Sequence, residues 1–312
     1  MERRTGKVVV IGAGFVGSTA AYALLIEGAA SEIILIDRHK EKAEGEAMDL
    51  RHGLQFKANS RITYGDDYAL CKDAEIVIIC AGAHQEKGET RLDLVKKNSL
   101  ILKDAIKGIT TYNKDCILII ISNPVDVLTR LAIRYSKFPP SKVFSTGTML
   151  DTARFRFLLG EHFGVSPESV HAYILGEHGD SSFAVWSAAN IAGVPLVRFK
   201  GYNRKKMEEI YLQVKNAAYE VISRKGATYY AIGLVVSRLV KAILSDQNRV
   251  FALSTLLRNY QGVSDVCLSV PCIVNREGIK EHIVIPFNAS EKKRMEACAL
   301  VMRKAIKDVL AG

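Results

Sequence analysis

No apolar run in this chain approaches the roughly 20 residues that a membrane-spanning helix needs, which argues against an integral membrane protein. A secretory leader is not expected either. Arg3 and Arg4 precede an apolar stretch, but Gly12, Gly14 and Gly17 interrupt it and no small-residue cleavage site follows, so the expectation is a cytoplasmic protein. The six cysteines form no C-x-x-C pair and no regular spacing, which speaks against a disulfide framework and against a zinc site. The chain also lacks basic clusters interleaved with aromatics. Its formal charge of +10 is spread along the sequence, and the short clusters at 204–206 and 292–294 read as solvated helix faces. A single-strand nucleic-acid binder would need stacking platforms beside such charges, so nucleic acid is not an expected partner. No internal repeat, low-complexity tract or flexible linker interrupts the 312 residues.

What is present is the composition of a globular protein, with 48% hydrophobic and 24% charged residues. The first half alternates short β-branched runs with helical stretches. Strands are expected at 7–11, 32–36, 76–81 and 116–122, and helices at 14–27, 91–107 and 125–135. This βαβ alternation implies a doubly wound parallel sheet with right-handed crossovers. Pro139 and Pro140 mark a break. Beyond them a helix is expected at 151–163, a strand at 171–175, a long helix at 205–225, antiparallel strands within 250–285 and a closing helix at 290–310. The fold class is therefore α/β. A Rossmann-type domain over residues 1–145 precedes a mixed α/β substrate domain over 146–312.

Gly12, Gly14 and Gly17 match G-x-G-x-x-G. Glycines occur in many turns, but here a strand precedes the motif, a helix follows it, and Asp37 ends the next strand. The first glycine suits a tight turn, the second lets backbone approach a pyrophosphate, and the third lets the helix pack on the sheet. Asp37 can accept hydrogen bonds from ribose hydroxyls and repels a 2′-phosphate, which favours NAD over NADP. Arg38 follows and works the other way, and Asp37 also has a reading as a mere helix cap.

Three further segments carry chemistry. His178 lies in a loop after the run 171–175, Asp151 and Arg154 share a helix face, and Arg91 ends a glycine-containing loop after the strand 76–81. Oxidising an alcohol to a ketone needs a base for the hydroxyl proton, and histidine suits it. An aspartate beside it would stabilise the imidazolium. One arginine offers a two-pronged donor to a substrate carboxylate, and a second could stabilise charge on a carbonyl oxygen. Singly, each also reads blandly, as a loop histidine, an N-cap, a surface ion pair or a helix start.

Together the segments are more telling. AGAHQEKGETRLDLVKKN at 81–98, SNPVDVLT at 122–129, GTMLDTARFRFLLG at 147–160 and GEHGD at 176–180 resemble the L-lactate dehydrogenase family, and the likeness extends over essentially the whole chain. The resemblance implies His178 as proton donor and acceptor, Asp151 as its partner, Arg154 as carboxylate clamp and Arg91 as carbonyl polariser on a mobile loop. It places Asn123 near the substrate carbonyl and Thr228 in the pocket. It further implies cofactor contacts at Val16, Lys42, Tyr68, Gly82, Ala83, Ser122 and Asn123. Malate dehydrogenases share the fold and catalytic set but carry an arginine where this chain has Gln85, which offers no counter-charge to a second carboxylate. The expected substrate pair is thus pyruvate and lactate. Arg156 and His171 match positions used by bacterial members activated by fructose 1,6-bisphosphate, where they meet across a two-fold axis of a homotetramer, a dimer of dimers. Readings left standing beside this one are malate dehydrogenase, another 2-hydroxyacid dehydrogenase, an NAD-dependent glycosidase and a catalytically silent NAD-binding protein.

Overall fold

The computed structural model describes residues 6–57, 60–83 and 91–310. Its first half follows from apolar runs too short for helices. β1 (Lys7–Ile11) passes through the glycine turn into α1 (Phe15–Glu27), and β2 (Glu32–Ile36) leads into α2 (Lys40–His52). There follow β3 (Arg61–Gly65), β4 (Ile76–Ile79), α3 (Arg91–Tyr112), β5 (Ile117–Ile120), α4 (Val125–Ser136) and β6 (Val143–Ser145). The six strands pair in parallel in the order β3-β2-β1-β4-β5-β6. Val8, Val9, Val10, Ile76, Val77 and Ile78 are wholly buried, as strands are when helices cover both sheet faces. Strand order reverses between β1 and β4, and such a switch point opens a crevice at the carboxyl ends of the strands.

The expected strands at 76–81 and 116–122 are shorter in the structure, at Ile76–Ile79 and Ile117–Ile120. Just beyond them the backbone still bonds, Cys80 N–H to the Ile11 carbonyl at 2.8 Å and Ile121 N–H to that of Ile79 at 2.9 Å, before the chain turns into the loops. The Ser122 hydroxyl donates to the Ala81 carbonyl at 2.6 Å. The helix expected at 91–107 continues to Tyr112. α2, β3 and β6 were not anticipated: α2 is mostly charged, β3 carries few apolar residues, and β6 is only three residues long.

The second half continues with α5 (Met149–Phe163), β7 (Val170–His171), β8 (Ile174–Leu175), β9 (Phe183–Ala184), β10 (Asn190–Ile191), β11 (Val194–Pro195), α6 (Arg204–Lys225) and α7 (Tyr230–Leu244). β12 (Arg249–Leu256), β13 (Cys267–Asn275), β14 (Gly278–His282) and α8 (Ala289–Leu310) complete it. β12, β13 and β14 are antiparallel, as expected, but they form no separate sheet. β12 joins β6 at Ser254 and Ser145, extending the parallel array to nine strands. The strand expected at 171–175 is in fact two. β7 pairs with β10, β8 pairs with β9, and the chain crosses between them at Ala172 and Tyr173. The break has a local cause: Thr152 of α5 accepts from the Ile174 N–H at 3.1 Å and also donates to its carbonyl at 3.2 Å.

One hydrophobic cluster runs through the nine-stranded sheet and its helices. A smaller one, around Phe155, Leu159, Ile174, Met207, Ile210 and Val214, lies under α5 and α6. The halves are also held together by α1 and α7. A Cβ at Gly233 would lie 2.9 Å from the Thr19 carbonyl, so only glycine permits this approach. Ser237 donates to the Ala23 carbonyl at 3.2 Å, and Lys241 to that of Glu27 at 3.3 Å. Among the described residues no helix is long and apolar enough to cross a membrane.

Candidate active site

The glycine motif sits where the switch point requires it. Gly12 has φ +97°, and a Cβ there would meet the Ala81 backbone nitrogen at 2.7 Å, so the loops after β1 and β4 touch. A Cβ on Gly17 would lie 1.8 Å from the Gly12 carbonyl oxygen. Gly14 caps α1 without any side-chain hydrogen bond, which leaves the first-turn N–H groups and the positive end of the helix to an anion. A Cβ at Gly14 would lie 4.0 Å from Lys42 Nζ, which puts a cation beside the same turn. Val16 is half-buried in that first turn. This is an arrangement suited to the diphosphate of a dinucleotide.

Asp37 directly follows β2 and does more than cap a helix. Its carboxylate accepts from the Ala13 N–H at 2.8 Å and from the His39 N–H at 3.0 Å, fastening the glycine turn to the next strand. Tyr68 packs against the bare face of Gly108, where a Cβ would be 2.3 Å from its ring. Burial raises its phenol pKa, helped by the thiol of Cys71 and the carboxylates of Asp104 and Asp37. Gly82 and Ala83 are held by Asn98, whose side chain accepts from the Ala83 N–H at 2.7 Å and donates to the Asn123 carbonyl at 2.7 Å. That residue binds the loops after β4 and β5 together. Asn123 itself is exposed at the crevice, and Ser122 lies beneath it.

The catalytic candidates meet across three elements. Thr148, at the start of α5, donates to the Ile174 carbonyl at 2.6 Å, and Thr152 bonds the same residue, so the first turn of α5 is pinned beside β8. Asp151 faces the loop after β8 from that turn. Its Oδ2 lies 2.8 Å from His178 Nδ1, and its Oδ1 accepts from Arg154 Nη1 at 3.0 Å. The helix spacing thus places one carboxylate between a histidine and an arginine. Burial pushes the His178 pKa down, but the charge and hydrogen bond of Asp151, with the charge of Asp126, outweigh it and leave His178 above its ordinary value. Burial likewise works to raise Asp151, and the charges and hydrogen bonds of His178 and Arg154 overcome it and hold the carboxyl low. Both shifts favour an imidazolium–carboxylate pair.

The histidine loop is fastened from all sides. Gly176 and Ser269 of β13 exchange backbone hydrogen bonds at 3.1 and 2.8 Å. Lys215 of α6 donates to the Asp180 carbonyl at 2.6 Å, and the Cys298 thiol of α8 to the Ser181 carbonyl at 3.1 Å. Asp126 of α4, only 3% exposed, accepts from the His178 N–H at 2.7 Å. Burial pushes its carboxyl up to about 6, against the lowering influence of Ser254 and His178.

A family model for the lactate/malate dehydrogenase NAD-binding domain matches residues 6–145, and one for the family's α/β C-terminal domain matches residues 148–312. The chain belongs to the lactate/malate dehydrogenase family. An L-lactate dehydrogenase of Acetivibrio thermocellus is 51% identical over 306 residues, covering 96% of this chain and 96% of that one. An L-lactate dehydrogenase of Clostridium botulinum is 46% identical over 310 residues, covering 98% and 97%. Among solved structures, a lactate dehydrogenase from a Medee basin deep-sea metagenome library superposes with a TM-score of 0.96 at 42% identity, covering 98% of this chain and 99% of its own. The minor L-lactate dehydrogenase of Enterococcus mundtii, in its ligands-bound form, gives a TM-score of 0.95 at 41% identity, with 98% of each chain covered. As a member of this family the chain is an NAD-dependent oxidoreductase, and the crevice at the switch point fits the family's cofactor.

Some of the expected family positions lie outside the described residues. Gln85 lies outside the described residues, as does the loop at 84–90. Arg91 heads α3, and its side chain is outside the described set. Thr228 is half-buried just before α7. Arg156 donates to the Ala172 carbonyl at 2.9 Å, one residue from His171, and its guanidinium lies 4.8 Å above the Tyr173 ring. His171 itself is exposed on β7. Asn98, Asp126, Thr152 and Ser269 were not singled out in the sequence. Asn98, Asp126 and Thr152 lie inside the motifs that carry the family likeness, which was the one available signal.

Proposed function

We propose that this chain catalyses the reversible reduction of pyruvate to L-lactate, with His178 as proton donor and acceptor. The observation that carries the reading is the Arg154–Asp151–His178 relay, with contacts of 3.0 and 2.8 Å. NADH held by the glycine turn and Asp37 would supply the hydride for the substrate's carbonyl carbon. The imidazolium of His178 donates its proton to the carbonyl oxygen, and Asp151 stabilises that cation until the transfer. Arg154 turns its planar donors to the substrate carboxylate, while Arg91 polarises the carbonyl. Asn123 and Thr228 line the pocket. In the reverse direction neutral His178 takes the hydroxyl proton, so reduction is favoured below its raised pKa and oxidation above it.

The same reading gives Gly12, Gly14, Val16, Gly17 and Lys42 to the diphosphate, Asp37 and Tyr68 to the adenosine half, and Gly82, Ala83, Ser122 and Asn123 to the nicotinamide half. Gln85 makes pyruvate the preferred acceptor, because a second substrate carboxylate would be desolvated without a partner. The domain division falls between residues 145 and 146. A homotetramer fits the exposed apolar side chains of Tyr22 and Ile26 on α1 with Leu234 on α7. Arg156 and His171 would receive the phosphates of fructose 1,6-bisphosphate between subunits. The test is NADH oxidation by purified protein with pyruvate or oxaloacetate, with and without the bisphosphate. Preference for pyruvate supports the assignment, and preference for oxaloacetate overturns it. An unchanged pyruvate saturation curve refutes the effector role alone.

A further inference from the structure

The two halves of the chain meet at a pair of aromatic rings that fold stability does not account for. Phe15 opens α1 immediately after the Gly14 cap, and its ring stacks on that of Tyr229, with centroids 5.2 Å apart and planes at 24°. Phe15 is nevertheless 67% exposed, so core burial is not what holds it there. Tyr229 caps α7 and directly follows Thr228. Its ring meets Tyr230 edge-on at 4.6 Å, and Lys225, at the end of α6, places Nζ 3.6 Å above Tyr229 and 3.9 Å from Tyr230. The cation stiffens the aromatic array on the substrate side. Further along, α1 and α7 are joined rigidly where Gly233 meets Thr19. The stacked rings lie at the facing ends of the two helices, about one turn before that joint.

We propose that the Phe15–Tyr229 stack is a positioning contact that couples cofactor binding to substrate binding. The inference rests on the reading that the α1 N-terminus receives the cofactor diphosphate and that Thr228 lines the substrate pocket. An anion on the first-turn N–H groups orders Phe15. The stacked ring then orders Tyr229, and with it the adjoining Thr228. A substrate reaching the occupied enzyme loses less conformational freedom, which is positive coupling without a large movement. Phe15 and Tyr229 act through their neighbours and touch neither reacting atom.

Coupling is reciprocal, so it can be read as the ratio of NADH dissociation constants without and with saturating oxamate, an unreactive amide analogue of pyruvate. NADH fluorescence gives both constants. Phe15→Leu and Tyr229→Leu are expected to lower that ratio by about three- to tenfold, the range for one aromatic pair. In Tyr229→Leu, NADH affinity without oxamate should stay within about twofold, and the ratio in the double variant should fall no further than in either single one. Tyr229→Phe keeps the ring and should keep the ratio. Unchanged ratios in both leucine variants overturn the proposal, as does a loss confined to NADH affinity or a double variant whose losses add. Particle mass measured by light scattering should match wild type, and a changed mass would assign the effect to assembly and overturn it as well. If oxamate leaves NADH affinity unaltered in wild type, the pyruvate reading itself fails, a result distinct from unaltered ratios in the variants.

Discussion

Replacing Asp151 by Asn keeps the shape of the side chain and removes its charge. The amide oxygen can still accept from either His178 or Arg154, so the first turn of α5 and its threonine bonds to Ile174 remain intact. What disappears is the carboxylate 2.8 Å from Nδ1, the group that opposes the effect of burial on His178. A hydrogen bond to a charged partner contributes about 1.5–3 kcal/mol, and in turnover that is about ten- to 150-fold. Pyruvate reduction at neutral pH should therefore fall within that range. The sign of the pH effect also follows. The carboxylate raises the histidine pKa, so its loss lowers it, and the descending limb of the reduction profile should move toward acid. Steady-state NADH oxidation measured from acid to alkaline pH checks both. A variant with normal turnover and an unmoved profile would refute the idea that Asp151 stabilises the imidazolium.

Asp126 gives a second pH-dependent prediction, with stability as the readout. Its carboxyl is raised from 3.8 to about 6, so the folded state holds the proton more tightly than the unfolded chain does. Ionising it then costs stability as pH rises from the lower value through the higher one. The melting temperature of wild type relative to Asp126→Asn should fall across that window, and a flat difference would contradict the burial argument. Gly17→Ala would force a Cβ to 1.8 Å from the Gly12 oxygen; overpacking of this kind costs about 1–3 kcal/mol, and calorimetry should show a lower Tm together with weakened NADH binding. Asp37→Ser removes the carboxylate that repels a 2′-phosphate, and the ratio of kcat/KM for NADH over NADPH should drop by about tenfold. An unchanged ratio would mean that Asp37 serves only to fasten Ala13 and His39.

The parallel half of the fold was legible because burial on both faces leaves a strong mark. Runs such as VVVI and EIILI have no polar face to hide and admit few alternatives. α2 and β3 escaped because one is charged on most of its surface and the other holds few apolar residues, so their places are set by neighbours rather than by pattern. The single nine-stranded sheet was hidden for a similar reason. Its junction is one serine pair, Ser145 and Ser254, which carries no periodic signal. The site divides in the same way. Asp151 and Arg154 are close because helix spacing makes them so, and the sequence alone dictates that contact. His178 reaches Asp151 only through tertiary structure, by way of Thr148, Thr152 and the bonds of the 176–182 loop. Asp126 is the clearest omission, since a buried carboxylate accepting a backbone N–H looks in sequence like any acidic residue in a helix's first turn.

In the proposed reaction His178 passes the proton while NADH would supply the hydride. Single-turnover oxidation of bound NADH by pyruvate, followed by stopped flow in wild type and in His178→Gln, tests it most directly. The rate in the variant should be about 10²- to 10⁴-fold slower, the usual worth of a positioned acid–base group, with NADH affinity unchanged. A variant that turns over within a few-fold of wild type would contradict it, and would move the proton to another group.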